Sequence, residues 1–266
     1  MRRLFLLVLP LAGAASPARA QTTHATNPLA VVPTAQAELA LKNVDYLLFN
    51  VGTTQFTSEN YPNQTFAAVA YEHFWGPQWS WGGRVVAGRY GGGGSAVVPE
   101  VLLRHRSALG PFTFGQRLSV ERRFDTSNAS RDSDQNWLRL RLDLEKIIPL
   151  GMADAATGLA LRPRLSFEAA THLRLQKETT DPSERFIQYT NLRAEVGVRT
   201  GPGFDLTPWF AYGADYYSTI DQFDITGKQT AGGNFNVRTP LLGLDVRYTF
   251  GAGRGAAGRQ QLPTQH

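Results

Sequence analysis

Residues 136–147 read NWLRLRLDLEKI, and this stretch decides the fold. Leu138, Leu140, Leu142 and Leu144 alternate with Arg139, Arg141, Asp143 and Glu145. A helix would scatter those charges around its circumference. A strand sets the leucines on one face and the charges on the other. The preceding segment behaves alike: Phe112, Phe114, Leu118, Val120 and Phe124 share one face, opposite Thr113, Arg117, Ser119, Glu121 and Arg123. Gln116 and Arg122 are the exceptions on its apolar side. Downstream, Leu159, Leu161, Leu165, Phe167 and Ala169 oppose Arg162, Arg164, Ser166, Glu168 and His172. Leu192, Ala194, Val196 and Val198 oppose Asn191, Arg193, Glu195 and Arg199; the last run sets Leu242, Leu244, Val246, Tyr248 and Phe250 against Asp245, Arg247 and Thr249. Less regular segments at 45–56, 65–75, 79–90, 96–107 and 204–217 complete an all-β, antiparallel barrel of about ten strands, or twelve if 37–43 or 221–232 pair.

The connections alternate in length. Those at 57–64, 90–95, 125–135, 176–185 and 218–234 are long. Those at 76–78, 108–110 and 201–203 are short and marked by glycine and proline, with 149–157 the long exception on the short side. Outer-membrane barrels combine short periplasmic turns with long external loops, and an even strand count puts both termini on the periplasmic side. Trp75, Trp79, Trp81, Phe112, Phe114, Trp209, Tyr248 and Phe250 fall at the short-turn ends. Phe56, Tyr61, Phe66, Tyr90, Phe124, Trp137, Phe186, Tyr216 and Phe235 fall near the opposite ends, so two interfacial belts are expected. A soluble barrel also alternates, but with its apolar face inward. Loop rhythm, belts and the closing Tyr248-Thr249-Phe250 favour the membrane. Pro163, Pro208 and Pro240 resist this reading, because each removes a ladder donor.

The two ends read differently. Arg2 and Arg3, an apolar run from Leu4 to Ala15, and Ala18-Arg19-Ala20 form a secretory signal peptide cleaved between Ala20 and Gln21. Residues 21–44 read as a flexible periplasmic lead-in, 45–250 as the barrel and 251–266 as a flexible tail. The chain carries 27 Lys plus Arg against 22 Asp plus Glu, a formal net charge of +5. Arg2, Arg3 and Arg19 supply three of those units and Arg254 and Arg259 the other two, so residues 21–250 are neutral overall. The basic balance belongs to the ends, and no nucleic-acid partner is implied. With no cysteine, a disulfide scaffold, a thiolate metal site, a cysteine nucleophile and a lipid-anchoring cysteine are excluded.

Together, the signal peptide, the period-two strands and the Tyr248-x-Phe250 ending resemble small Gram-negative outer-membrane β-barrels. That resemblance implies outer-membrane lipid as surroundings and recognition of the last strand, through Tyr248 and Phe250, by the barrel-assembly machinery. The tail GAGRGAAGRQQLPTQH departs from the usual pattern. Glu121-Arg122-Arg123-Phe124, Trp137-Leu138-Arg139-Leu140-Arg141-Leu142 and Phe167-Glu168 resemble elements of a barrel family known only as a domain of unknown function. This second resemblance implies a fold and a location, not an activity.

In a membrane barrel the charged faces line the lumen. Arg84, Arg104, Arg117, Arg139, Arg141, Arg162, Arg164, Arg193, Arg199 and Arg247 then share a narrow interior with Glu72, Glu100, Glu121, Asp143, Glu145, Glu168, Glu195, Asp215 and Asp245. Eight strands leave an interior just filled by side chains and sixteen leave an open channel. Cross-strand Arg–carboxylate pairs are therefore expected to plug it, in a structural or surface-interacting protein. The alternative is a narrow passive channel for small anionic solutes. A second alternative is a lipid-modifying enzyme using His105 and Ser107, which match a His-x-Ser tripeptide and face outward by parity. They sit beside the short turn 108–110, away from the outer leaflet, and short motifs arise easily by chance. None of the five histidines follows an Asp by two residues, against an outer-membrane protease. Asp132 and Asp134 lack the glycine and distal glutamate of a calcium loop. Gly91 to Gly94 lacks the Lys-Ser/Thr of a phosphate loop, and Asn128-Ala129-Ser130 is a formal glycosylation acceptor without a bacterial use. No cofactor or metal is expected.

Overall fold

A computed structural model describes residues 22–41, 45–90, 93–126, 135–150, 159–173, 185–200, 203–226 and 229–250. The expected signal peptide with its Ala20–Gln21 cleavage point, the C-terminal tail and the loop residues Asp132, Asp134 and Asn128 lie outside them. The strands are β1 (Thr22–Thr26), β2 (Ala30–Ala40), β3 (Tyr46–Phe56), β4 (Gln64–Phe74), β5 (Trp79–Arg89), β6 (Ser95–Leu109) and β7 (Phe112–Asp125). They continue with β8 (Gln135–Glu145), β9 (Ile148–Pro149), β10 (Ala160–His172), β11 (Tyr189–Arg199), β12 (Phe204–Phe223) and β13 (Gln229–Phe250).

Alternation dictates which way each face points. In β8 the acidic and basic residues Arg141, Asp143 and Glu145 are buried, while Leu140 lies 45% exposed on the outer wall. The inversion holds around the ring: Val51, Val69, Val101, Leu118, Leu165, Leu192, Phe210 and Leu242 are exposed, and Glu72, Arg104, Arg164, Glu195 and Asp245 are buried. This is a barrel with its charges inside and its apolar side chains outside, the reverse of a soluble barrel.

Eleven strands close the ring, rather than ten or twelve: β2 to β8 and β10 to β13 follow in order, and β13 returns to β2. All neighbours are antiparallel except this closing pair, which is parallel from Leu241↔Ala30 to Phe250↔Leu39. An odd number of alternating strands leaves the first and last pointing the same way, so closure must be parallel. As a result, the described ends do not lie together: Thr22 pairs with Asn234 near the long β12–β13 hairpin, and Phe250 ends beside Leu39. For the described ends this corrects the expectation, which rested on an even count, that both come back to one side. The segment read as a lead-in supplies the missing strand. Its inward face (Ala30, Val32, Thr34, Gln36, Glu38) carries one charge and its outward face is rich in alanine, so its alternation is weak in sequence.

The prolines sit where pairing lapses. Register across β11–β12 passes from Glu195↔Trp209 to Val198↔Leu206, skipping Pro208. Pairing of β6 with β7 likewise skips Pro99, and that of β2 with β3 skips Pro33. Pro163 pairs on the β11 side, while the β8 ladder begins only at Arg164. Pro240 explains a larger feature. β1 and β2 run along the same edge of β13, and the break between them falls opposite Thr239 and Pro240, with Asn27 N–H donating to the Arg238 carbonyl at 2.8 Å. Each proline withholds one donor without shifting the strand to its neighbour.

Candidate functional site: the lumen

Inward-facing side chains meet across three or four strands and sort into two halves. At the short-turn end the packing is dense and charged. Arg104 from β6 places Nη1 at 2.7 and 2.6 Å from the two Glu72 oxygens, and Ser80 Oγ donates to Glu72 at 2.5 Å. Arg247 from β13 reaches Asp205 at 2.7 Å and Glu38 at 3.5 Å, and Arg199 reaches Asp205 at 3.3 Å. Between them, Glu195 accepts from Arg164 at 2.7 Å and from Arg193 at 2.8 Å, with Arg162 at 4.0 Å. Arg193 continues to Asp245 at 2.8 Å. Asp245 is wholly buried and accepts two further bonds, from Thr34 Oγ1 at 2.5 Å and Trp209 Nε1 at 2.9 Å. The Arg193 guanidinium lies 3.9 Å above the Trp209 ring. Thr34–Asp245 and Glu38–Arg247 both cross from β2 to β13, so the parallel seam is pinned from inside.

Glycines make room for these flat-lying groups. A Cβ at Gly243 would fall 2.1 Å from the Trp209 ring on the paired strand, and one at Gly115 would fall 2.6 Å from the Asp143 carboxylate. Asp143, Glu145 and Arg106 complete the buried set in this half.

Toward the long-connection end the lumen opens. A third network, Arg117–Glu168 at 3.1 Å, Arg139–Glu168 at 2.9 Å and Arg139–Glu121 at 2.7 Å, lines one wall of a cavity of about 540 Å³. The lining holds six arginines (Arg84, Arg117, Arg123, Arg139, Arg141, Arg193) against four carboxylates (Glu100, Glu121, Glu168, Asp215). A second cavity of about 440 Å³ adjoins it, with Gln64, Arg84, Tyr90, Tyr189, Asn191 and Arg193 lining both. Arg84 faces Glu100 at 3.8 Å. Arg141, 6% exposed, donates only to Ser166 Oγ at 3.2 Å, and no carboxylate among the described residues is within ion-pair distance of it. Arg123 stacks on Tyr90 at 4.6 Å with no carboxylate partner among the described residues.

The aromatic belts need one correction. Phe66, Tyr90, Trp137 and Trp209 point inward and line the cavities, because each shares its strand's parity with the lumen charges. Trp75, Trp79, Trp81, Tyr248 and Phe250 are exposed on the outer wall, with Trp75 stacked on Trp79 at 6.2 Å. His105 lies there too, 4.4 Å from Trp79, and no hydrogen bond joins it to Ser107. Sequence reasoning missed a different histidine. His73 Nδ1 meets Asp45 Oδ1 at 3.0 Å, and Tyr71 OH donates to Asp45 Oδ2 at 2.6 Å, at the rim between β3 and β4. Asp45 and His73 are too far apart in sequence to form a motif; only antiparallel pairing of β3 with β4 brings them together. Burial raises the Asp45 pKa, but the bonds from Tyr71, His73 and the Phe74 amide outweigh it and hold the carboxyl below its usual value. Glu38, Thr34, Asp205, Arg106 and Trp209 were also missed as members of the lumen network.

No family model matches the chain, so the resemblance of residues 121–124, 137–142 and 167–168 to an uncharacterised barrel family gains no support. No curated protein matches it either. Among solved structures, LpxR from Salmonella typhimurium is similar at 9% identity with a TM-score of 0.44, over 81% of this chain and 87% of that one. A likeness at that level carries no argument about activity or site.

Proposed function

We propose that the protein is an outer-membrane barrel, long connections facing outward, whose lumen is closed to flow in its periplasmic half and forms a blind vestibule on the outer side. Its role is structural or surface-interacting, not transport. The observation that carries this reading is the inverted wall. Exposed Leu, Val and Phe side chains on every strand of the ring would leave a large apolar surface in water, whereas hydrocarbon covers it without cost. The buried Arg–carboxylate pairs support a closed lumen, since an interior between those of eight- and sixteen-stranded barrels is filled by side chains as long as arginine. Tyr248 and Phe250, outward on the last strand, fit recognition by the barrel-assembly machinery.

The test has two parts. Detergent-extracted protein should come from the outer-membrane fraction and show heat-modifiable gel mobility; recovery as a soluble periplasmic protein without a mobility shift overturns the reading. In a planar bilayer the barrel should be silent where a control porin conducts. Steady anion-selective steps would replace the closed lumen with the narrow-channel reading. An altered lipid A profile on overexpression, abolished by His105→Ala, would instead support lipid modification.

A further inference from the structure

The vestibule has a charge that its own walls do not balance. Arg193 is held by Glu195 and Asp245 outside the lining, so five arginines face four carboxylates, and the surplus is localised. Glu168 is already shared by Arg117 and Arg139, and Glu121 is bound by Arg139. Arg141, at the cavity base, is left with one serine hydroxyl. Arg123 is left with the face of Tyr90. A nine-tenths-buried guanidinium whose hydrogen-bond partner is neutral favours an anion that completes it, because burial strips its hydration and no carboxylate among the described residues lies within ion-pair distance. Elsewhere in this lumen the same residue type is held by carboxylates from neighbouring strands, as Arg104, Arg164 and Arg247 are. Among the described residues Arg106, in the packed half, also lacks an ion pair, but Arg141 and Arg123 are the ones that border the open space.

We propose that the vestibule is a binding site for a small oxyanion, a phosphate- or carboxylate-bearing molecule, whose anionic group is held by Arg141 and Ser166. Arg123, stacked on Tyr90, adds a second positive charge to the cavity wall. The planar guanidinium suits an oxyanion, to which it can present parallel N–H donors. Trp137, Tyr90 and Tyr189 supply apolar walls for whatever the anionic group is attached to. With a surplus of positive charge in the cavity, a dianion binds more tightly than a monoanion of similar size.

The inference rests on the lumen being closed below the cavity, so its test is kept separate from the test of that reading. Full-length protein in detergent is titrated calorimetrically with inorganic phosphate and, separately, with acetate, using glycerol as the neutral control. Saturable binding of one phosphate per barrel is expected, with weaker acetate binding and none of glycerol. Arg141→Gln should weaken phosphate binding at least tenfold, and Ser166→Ala and Arg123→Gln severalfold. Arg89→Gln, exposed on the outer wall, should leave it unchanged. Heat-modifiable mobility of each variant confirms folding. If Arg141→Gln does not fold, the Ser166→Ala and Arg123→Gln titrations decide. No saturable binding of either anion, or binding indifferent to all three substitutions, overturns the proposal while leaving the closed membrane barrel standing. Conductance in the bilayer would overturn the closed lumen, an outcome read separately from the titration.

Discussion

At the scale of single residues, Asp245 has the most consequences. One fully buried carboxylate takes bonds from β2, β11 and β12 while belonging to β13. Breaking a buried, hydrogen-bonded ion pair costs about 3–5 kcal/mol, because the remaining charge stays desolvated. Asp245→Ala should therefore lower the unfolding free energy in detergent by an amount in that range, and Glu195, which still holds Arg193, keeps it toward the lower end. Asp45 gives a pH-dependent counterpart at the rim. Its pKa is lowered on folding below the ordinary value of an aspartate carboxyl. The stability it contributes is thus fully present above that value and is lost as pH falls through the lower, folded one. The difference in thermal midpoint between the wild type and Asp45→Asn should be present at about pH 5 and disappear on acidification through and below the ordinary carboxylate range. A difference that grows on acidification would contradict the geometry at Tyr71 and His73.

At the scale of elements, strands are shaped by what they must pass. Trp209 can lie flat across the lumen only because its partner on β13 is Gly243. Gly243→Val should push the indole off Asp245, red-shift tryptophan emission and cost about 1–3 kcal/mol, the usual range for overpacking a filled interior. The same pairing shows where sequence reading succeeds and fails. Strands such as β8, with leucine and charge in strict alternation, are legible because their two faces differ in every residue. β2 is not legible as a strand because alanine and valine occupy both of its faces, and its role as the closing strand depends on β13, more than two hundred residues away. The prolines looked like obstacles in one dimension. In the sheet each falls where a neighbouring ladder lapses, and Pro240 marks the break that splits one edge into β1 and β2.

At the scale of the whole molecule, the inverted wall makes a test that no soluble barrel would pass. Leu140 faces outward from mid-strand in β8. Leu140→Arg should destabilise the barrel in lipid vesicles by about 2–4 kcal/mol, the cost of an arginine near the bilayer midplane, as read from denaturant unfolding. In a water-facing wall the same change would be close to neutral. By itself the sequence determined which residues share a face of each strand, and hence an all-β wall with one apolar and one charged side. Alternation is a local property, carried by each strand without reference to any other. The tertiary structure alone decided the odd strand count, the parallel seam, the partner of each arginine, and the division of the lumen into a packed half and an open one. Those depend on register and closure around the ring, where side chains from distant strands converge, and no spacing along the chain records them.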